Sequence, residues 1–130
     1  MLYTGSFKDI DPGRYGEIWL IVRQLSAVPR NPRNNIRHVR VLSPSKRLLF
    51  ESKDAQRRKI WDQEYFDNIY APAFLSEMLG DPQAMQALNE LAELSKSKDV
   101  LIACYCPDES QCHRSLVKRI IGRLGGDIGE

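Results

Sequence analysis

Asp99-Val-Leu-Ile-Ala-Cys-Tyr-Cys106 is a near-continuous apolar run that leads through the polar stretch Pro107 to Gln111 into the segment His113 to Leu124. The run has the length and content of a strand covered on both faces. In the segment after it, Leu116, Val117, Ile120, Ile121 and Leu124 recur on one helical face, and Gly125-Gly126 supplies a stop. A strand, a polar exit loop and a closing helix follow from this line. Working back, Asp81-Pro82 combines a capping carboxylate with a first-turn proline, and Met85, Leu88, Leu91, Ala92 and Leu94 predict a helix to about Lys96.

Glu17-Ile-Trp-Leu-Ile-Val-Arg23 predicts a second covered strand in the middle of a sheet, with Trp19 in the core. Met1 to Thr4 predicts a short strand turning at Gly5-Ser6, and Asp11-Pro12-Gly13 a further turn. Ala27 to Asn35, with Pro29 and Pro32, predicts a loop; Ile36, Val39 and Val41-Leu42 predict another strand. Ser52 is placed to cap a helix from Asp54 to about Ile69, and Pro72 to bend or restart it toward Gly80. Helices alternating with doubly covered strands predict one α/β domain over residues 1–130, a three-layer sandwich with a small, largely parallel sheet flanked by helices.

At 130 residues, 42% hydrophobic and 28% charged, the chain can form a real core and is no disordered polymer. Its three cysteines all lie between Cys104 and Cys112, an odd number without the spread of a disulfide framework. With no apolar leader ahead of them, a cytoplasmic location is expected, and no apolar run is long enough to span a membrane. The sequence implies no cofactor and carries no signal for an oligomeric state.

The net charge of +2 conceals sorting along the chain: Ile18 to Phe50 contains no acid but seven bases, six of them arginine, whereas Ile60 to Cys112 holds ten acids against Lys96 and Lys98. An uncompensated arginine-rich stretch attracts phosphates or carboxylates. Alternatively, the acidic helices fold over the basic strands and cancel the field.

The line Cys104-Tyr-Cys106-Pro-Asp-Glu-Ser-Gln-Cys112-His113-Arg114-Ser115 sits between strand and helix, where first-turn N–H groups and the helix dipole favour an anion. Cys112 or Cys106 at that position is a candidate nucleophile or redox thiol, opposed by Asp108 and Glu109. Zinc is disfavoured on spacing. Knuckles separate ligands by about two to four residues, but here the cysteines are separated by one and five. No arginine stands six residues beyond Cys104 or Cys106 to complete a phosphatase-like loop, and Cys106 with Cys112 lacks the usual redox spacing. Cys104 continues the strand alternation and fits a small buried filler. His113 could merely cap the helix, Arg114 pair with Asp108 or Glu109, and Arg23 mark the strand's emergence into water. Trp61, Tyr65, Phe66 and Tyr70 fit helix packing better than a base-stacking platform.

The cysteine line resembles the signature of the domain of unknown function 488 family, in which a strand ends in cysteine, an acidic loop follows, and Cys-His-Arg opens the last helix. Leu2-Tyr-Thr-Gly-Ser6 resembles that family's opening strand, and Ile21-Val-Arg23 with Ser26 and Pro29 its strand ending in arginine. The segment Trp61 to Leu75 is similar to a helical piece some members carry. Ile21 replaces the acid usual ahead of Val-Arg, and Cys106 makes the loop unusually cysteine-rich. The resemblance implies a compact α/β fold with the two motifs facing one another, and no agreed reaction.

The expected site is an anion-binding crevice formed by Arg23, Cys106, Cys112, His113 and Arg114. Arg23 and Arg114, with Ser115 beside them, would hold the oxyanion; His113 would serve as acid, base or donor, and Cys112 as the first reactive thiol, with Cys106 second. The expected ligand carries a phosphate or carboxylate, as a nucleotide does. The competing expectation is a non-catalytic nucleic-acid-binding module using Arg30, Arg33, Arg37, Arg40 and Arg47 within segment 23–47. A structural zinc or thiol redox site is the third.

Overall fold

A computed structural model describes residues 1–6, 10–25, 34–106 and 108–129. Four parallel strands, β1 (Leu2–Ser6), β2 (Glu17–Leu20), β3 (Ile36–His38) and β4 (Val100–Cys104), form a sheet in the order β1-β4-β2-β3. Among the described residues five α-helices accompany them: α1 (Lys46–Arg57), α2 (Gln63–Tyr65), α3 (Ala71–Gly80), α4 (Pro82–Ser97) and α5 (His113–Arg123). The three-layer α/β architecture expected from the sequence is the one found. Every residue of β4 is buried, as are Ile18, Trp19 and Leu20 of β2, because helices shield both faces of the central pair. In register, Ile18 faces Leu101 and Leu20 faces Ala103, so the two strands end side by side.

Helix boundaries follow local chemistry. Asp81 caps α4, its Oδ1 accepting from Gln83 N at 2.9 Å, as the Asp-Pro signal predicts. The stop after α5 is also as expected, with Gly125 at φ +85. Three expectations are corrected. Gly5 and Ser6 belong to β1, paired with Ala103 and Cys104, since a long neighbouring strand offers partners that a turn would forgo. Val41-Leu42 lie in a 3-10 turn over Arg40–Leu42, closed by Ser43 N–H donating to Arg40 O, and do not extend β3.

The helix expected over Asp54 to Ile69 is instead two. Ser45, not Ser52, caps α1 by accepting from Leu48 N at 3.1 Å; Ser52 lies inside the helix, its hydroxyl donating to Leu49 O. After Arg57 the chain turns through Lys59 at φ 61, and Asp62 caps the restart. Pro72 is absorbed without a break, because the π-helical stretch Phe66–Tyr70 widens the turn before it and Ala71 N–H reaches back to Phe66 O. The loop expected over Ala27 to Asn35 lies mostly outside the described residues.

Beside the central pair, β3 forms the outer margin of the sheet. Arg37 at its centre donates to Glu17 Oε1 at 2.5 Å and to Glu90 Oε2 of α4 at 2.9 Å, and its guanidinium lies 4.9 Å from the Trp19 ring centroid. Here the acidic helix does meet the basic strand. No helix among the described residues is long and apolar enough to cross a membrane.

Candidate functional site

The carboxyl ends of the parallel strands carry two groups of chemistry. The first lies where β4 passes into α5. Cys104, Cys106, Cys112 and His113 each offer a ligand atom there, and these atoms lie within 4.8 Å of one another. Cys104, Cys112 and His113 are buried and Cys106 is half-buried. The Cys104 and Cys112 Sγ atoms stand 2.8 Å apart as free thiols. A carbonyl can only accept, so His113 Nε2, 2.6 Å from Ile21 O, carries the ring hydrogen. Burial lowers the His113 pKa and keeps the ring neutral, which leaves a lone pair on Nδ1, 3.7 Å from Cys112 Sγ.

Arg114 is turned onto the same cluster. Its Nη1 donates to Cys106 O at 2.7 Å and to Cys104 Sγ at 3.3 Å, while Nε is buried without a hydrogen-bond partner among the described residues and Glu109 approaches it to 3.8 Å. The three thiols share charge unequally. Hydrogen bonds from Cys106 and then Cys112 hold the Cys104 thiol far below its ordinary range, against burial. The same contacts push Cys112 strongly up, and Cys104 drives Cys106 up to about 11. Of the three, Cys104, read from the sequence as filler, is the thiol whose surroundings most favour the charged form. Ser115 turns its hydroxyl onto Cys112 O at 2.8 Å.

Aromatic packing steadies this corner. Phe66, Tyr70 and Phe74 run along the helix that includes α2 and α3, Trp61 just ahead of it packs on Phe66 and Tyr70, and the Phe74 ring meets the His113 ring at 5.6 Å. Trp61 Nε1 donates to Gln111 Oε1 at 2.9 Å and Gln63 Nε2 to Ser110 O at 3.1 Å, tying the exit loop to that helix. The buried Phe66 and Tyr70 serve packing, as the sequence suggested.

The second group is a cleft of about 600 Å³ beyond β2 and β3, lined among others by Arg23, Arg40, Ser43, Ser45, Glu77 and Asp81. Both histidines of the chain fix the backbone leading into it: His113 holds Ile21 O, and His38 Nε2 stands 2.6 Å from Val22 O. Arg23 follows directly and is half-buried, and its Nε is shielded from water without a partner among the described residues. Two acids in the lining are engaged by helix starts. Glu77 accepts from Ser45 N at 2.9 Å and from Ser45 Oγ at 2.5 Å, and Asp81 caps α4.

The two sequence motifs thus meet through backbone, at the His113–Ile21 contact and at Ile21 N–H donating to Ala103 O at 3.0 Å, while their side chains divide. Arg23 lines the cleft. Cys106, Cys112, His113, Arg114 and Ser115 are not among its lining residues. Of the residues that complete it, Arg40 was read only as part of the basic segment and Ser45 and Glu77 carried no recognised signal; Ser43-Pro44-Ser45 before a helix was the available one. Of the basic segment, Arg37 is held by two acids and Arg47 pairs with Glu51, while Arg30 and Arg33 lie outside the described residues.

Among curated proteins and among solved structures, no significant match to the chain was found. A family model described as the active DUF488-N3 subclade matches residues 7–124. That span takes in β2 and the Ile21-Val-Arg23 segment that follows it, the aromatic helix and the Cys-His-Arg line together, and the chain belongs to the DUF488 family.

Proposed function

We propose that this DUF488 protein binds a small ligand bearing a phosphate or carboxylate, a nucleotide being the representative case, in the cleft beyond β2 and β3. The observation that carries the reading is the guanidinium of Arg23, a residue of the cleft lining whose Nε is buried without an acceptor among the described residues. A buried donor left unpaired costs about 1–3 kcal/mol, which an anionic ligand would recover. Arg40 adds a second positive charge to the lining, and the acids of the lining, Glu77 and Asp81, are engaged by helix starts. The position agrees with the general rule that ligands of open α/β sheets bind beyond the strands' carboxyl ends. The matched family description names an active subclade, and turnover of the bound ligand is the corresponding expectation here. Arg114, turned onto Cys104 and Cys106, is assigned no contact with the ligand.

Calorimetric titration with inorganic phosphate, AMP, ATP and citrate tests this. At least one phosphate-bearing ligand should bind with Kd below about 1 mM. Arg23→Ala should weaken it roughly tenfold or more, and Arg37→Ala should leave it unchanged. Binding by none of the four up to about 10 mM, or equal binding by Arg23→Ala, would sink the reading. The nucleic-acid module has less support, since Arg37 and Arg47 are ion-paired.

A further inference from the structure

We propose that Cys104, Cys106, Cys112 and His113 form a four-ligand site for a single zinc-like metal ion at the junction of β4 and α5. The inference is independent of the cleft.

Three observations carry it. The first is convergence: one ligand atom from each residue lies within 4.8 Å of all the others. Ligands about 2.0–2.3 Å from a tetrahedral zinc stand somewhat under 4 Å from each other, so the set closes by a modest contraction of its longest separations and an opening of the 2.8 Å Cys104–Cys112 pair. The second is the orientation of the imidazole. His113 donates through Nε2 to Ile21 O at 2.6 Å, and Nδ1 is left facing Cys112 Sγ at 3.7 Å. A metal-binding histidine is held in this way, with the far nitrogen anchored on a carbonyl and the near one free to coordinate. The third is charge. Three thiolates, one neutral imidazole and a divalent cation sum to minus one, and Arg114 Nη1, 3.3 Å from Cys104 Sγ, supplies the compensating plus one inside the protein.

The spacing that argued against zinc has a structural explanation. A separation of about two to four residues suits ligands on a turn, whereas here Cys104 ends β4 and Cys106 follows where the chain leaves the strand, with its ligand atom within 4.8 Å of that of Cys104. The exit loop, tied down by Trp61 and Gln63, then returns the chain so that the first residues of α5 complete the set. Soft thiolates with one imidazole favour zinc over hard cations. Binding displaces the remaining thiol protons to solvent and transfers no electrons.

The test is elemental analysis of full-length protein purified reduced, without chelator or metal-affinity resin, followed by replacement with cobalt. The expected result is close to one equivalent of zinc. Cobalt added to metal-free protein should give the strong visible bands of a tetrahedral site and a thiolate-to-cobalt charge-transfer band sized for three thiolates. Cys106→Ser, at the half-buried position, should lose about a third of that band and weaken binding roughly tenfold or more. Less than about a tenth of an equivalent as purified, together with no tetrahedral cobalt spectrum, would overturn the proposal. Equal metal content in wild type, Cys106→Ser and His113→Gln would also overturn it, by locating the metal elsewhere. Should Cys106→Ser fail to fold by circular dichroism, the wild-type cobalt spectrum decides alone, and a band sized for one thiolate or none overturns it.

Discussion

His113 Nε2 and the carbonyl oxygen of Ile21 stand 2.6 Å apart although 92 positions separate them in the chain, and this contact joins the start of α5 to the end of β2. The ring is 6% exposed and packs against Phe74. His113→Ala would leave the carbonyl unpaired and a void beside Phe74. The expected loss is about 2–4 kcal/mol of folding stability, read as a lowered urea midpoint with unchanged slope.

Glu17 carries the clearest pH signature away from the cysteines. Burial raises its pKa, but hydrogen bonds from Trp19, Arg37 and Lys98 and the Arg37 charge together outweigh this and hold it below 4.5. A carboxyl depressed in the folded state stabilises fully above its unfolded value and loses that contribution as pH falls through its folded value. Glu17→Gln should therefore cost about 1 kcal/mol at neutral pH. The two proteins should converge in thermal midpoint well below pH 4.5.

Trp61→Phe retains the ring contacts with Tyr65, Phe66 and Tyr70 but removes the hydrogen bond to Gln111 Oε1. A stability loss of about 1 kcal/mol is expected. Amide exchange should quicken at Ser110 to Cys112 and stay unchanged in β1. Uniform quickening throughout would show that the tie is not local.

Two glycines should respond in opposite directions to alanine. Gly80 ends α3 with nothing within 4 Å of an added Cβ, so Gly80→Ala should raise stability by about 0.4–1 kcal/mol. At Gly126 the added carbon would press on Ile121, with Ser95 Oγ at 3.0 Å and Ile121 O at 3.1 Å. Gly126→Ala should cost about 1–3 kcal/mol. Paired thermal melts read both signs.

The central sheet was legible because β2 and β4 are buried on both faces and so appear as unbroken apolar runs. The start of α4 was legible because Asp81-Pro82 is a local signal that tertiary packing has no reason to override. α1 was harder. Its buried stripe is Leu48, Ser52 and Ala55, small or polar residues that leave little hydropathy pattern, and Ser52 resembled a cap although Ser45 performs that role. At the site, the sequence indicated the closeness of Arg23's strand to the Cys-His-Arg helix, and the His113–Ile21 contact expresses it. It could not indicate that Arg114 would turn to Cys104, because that depends on how the exit loop folds back over eight residues. The cleft was hidden for a similar reason. Its lining comes from the ends of separate elements, brought together by tertiary packing.

A parallel sheet left with a free margin is a template on which other chains can stack. One of the two margins here is β3, only three residues long, and its middle side chain is drawn to Glu17 and Glu90. Such a stub presents too few unpaired amides to recruit a foreign strand, so this edge resists strand addition through its brevity, with no proline among its three residues.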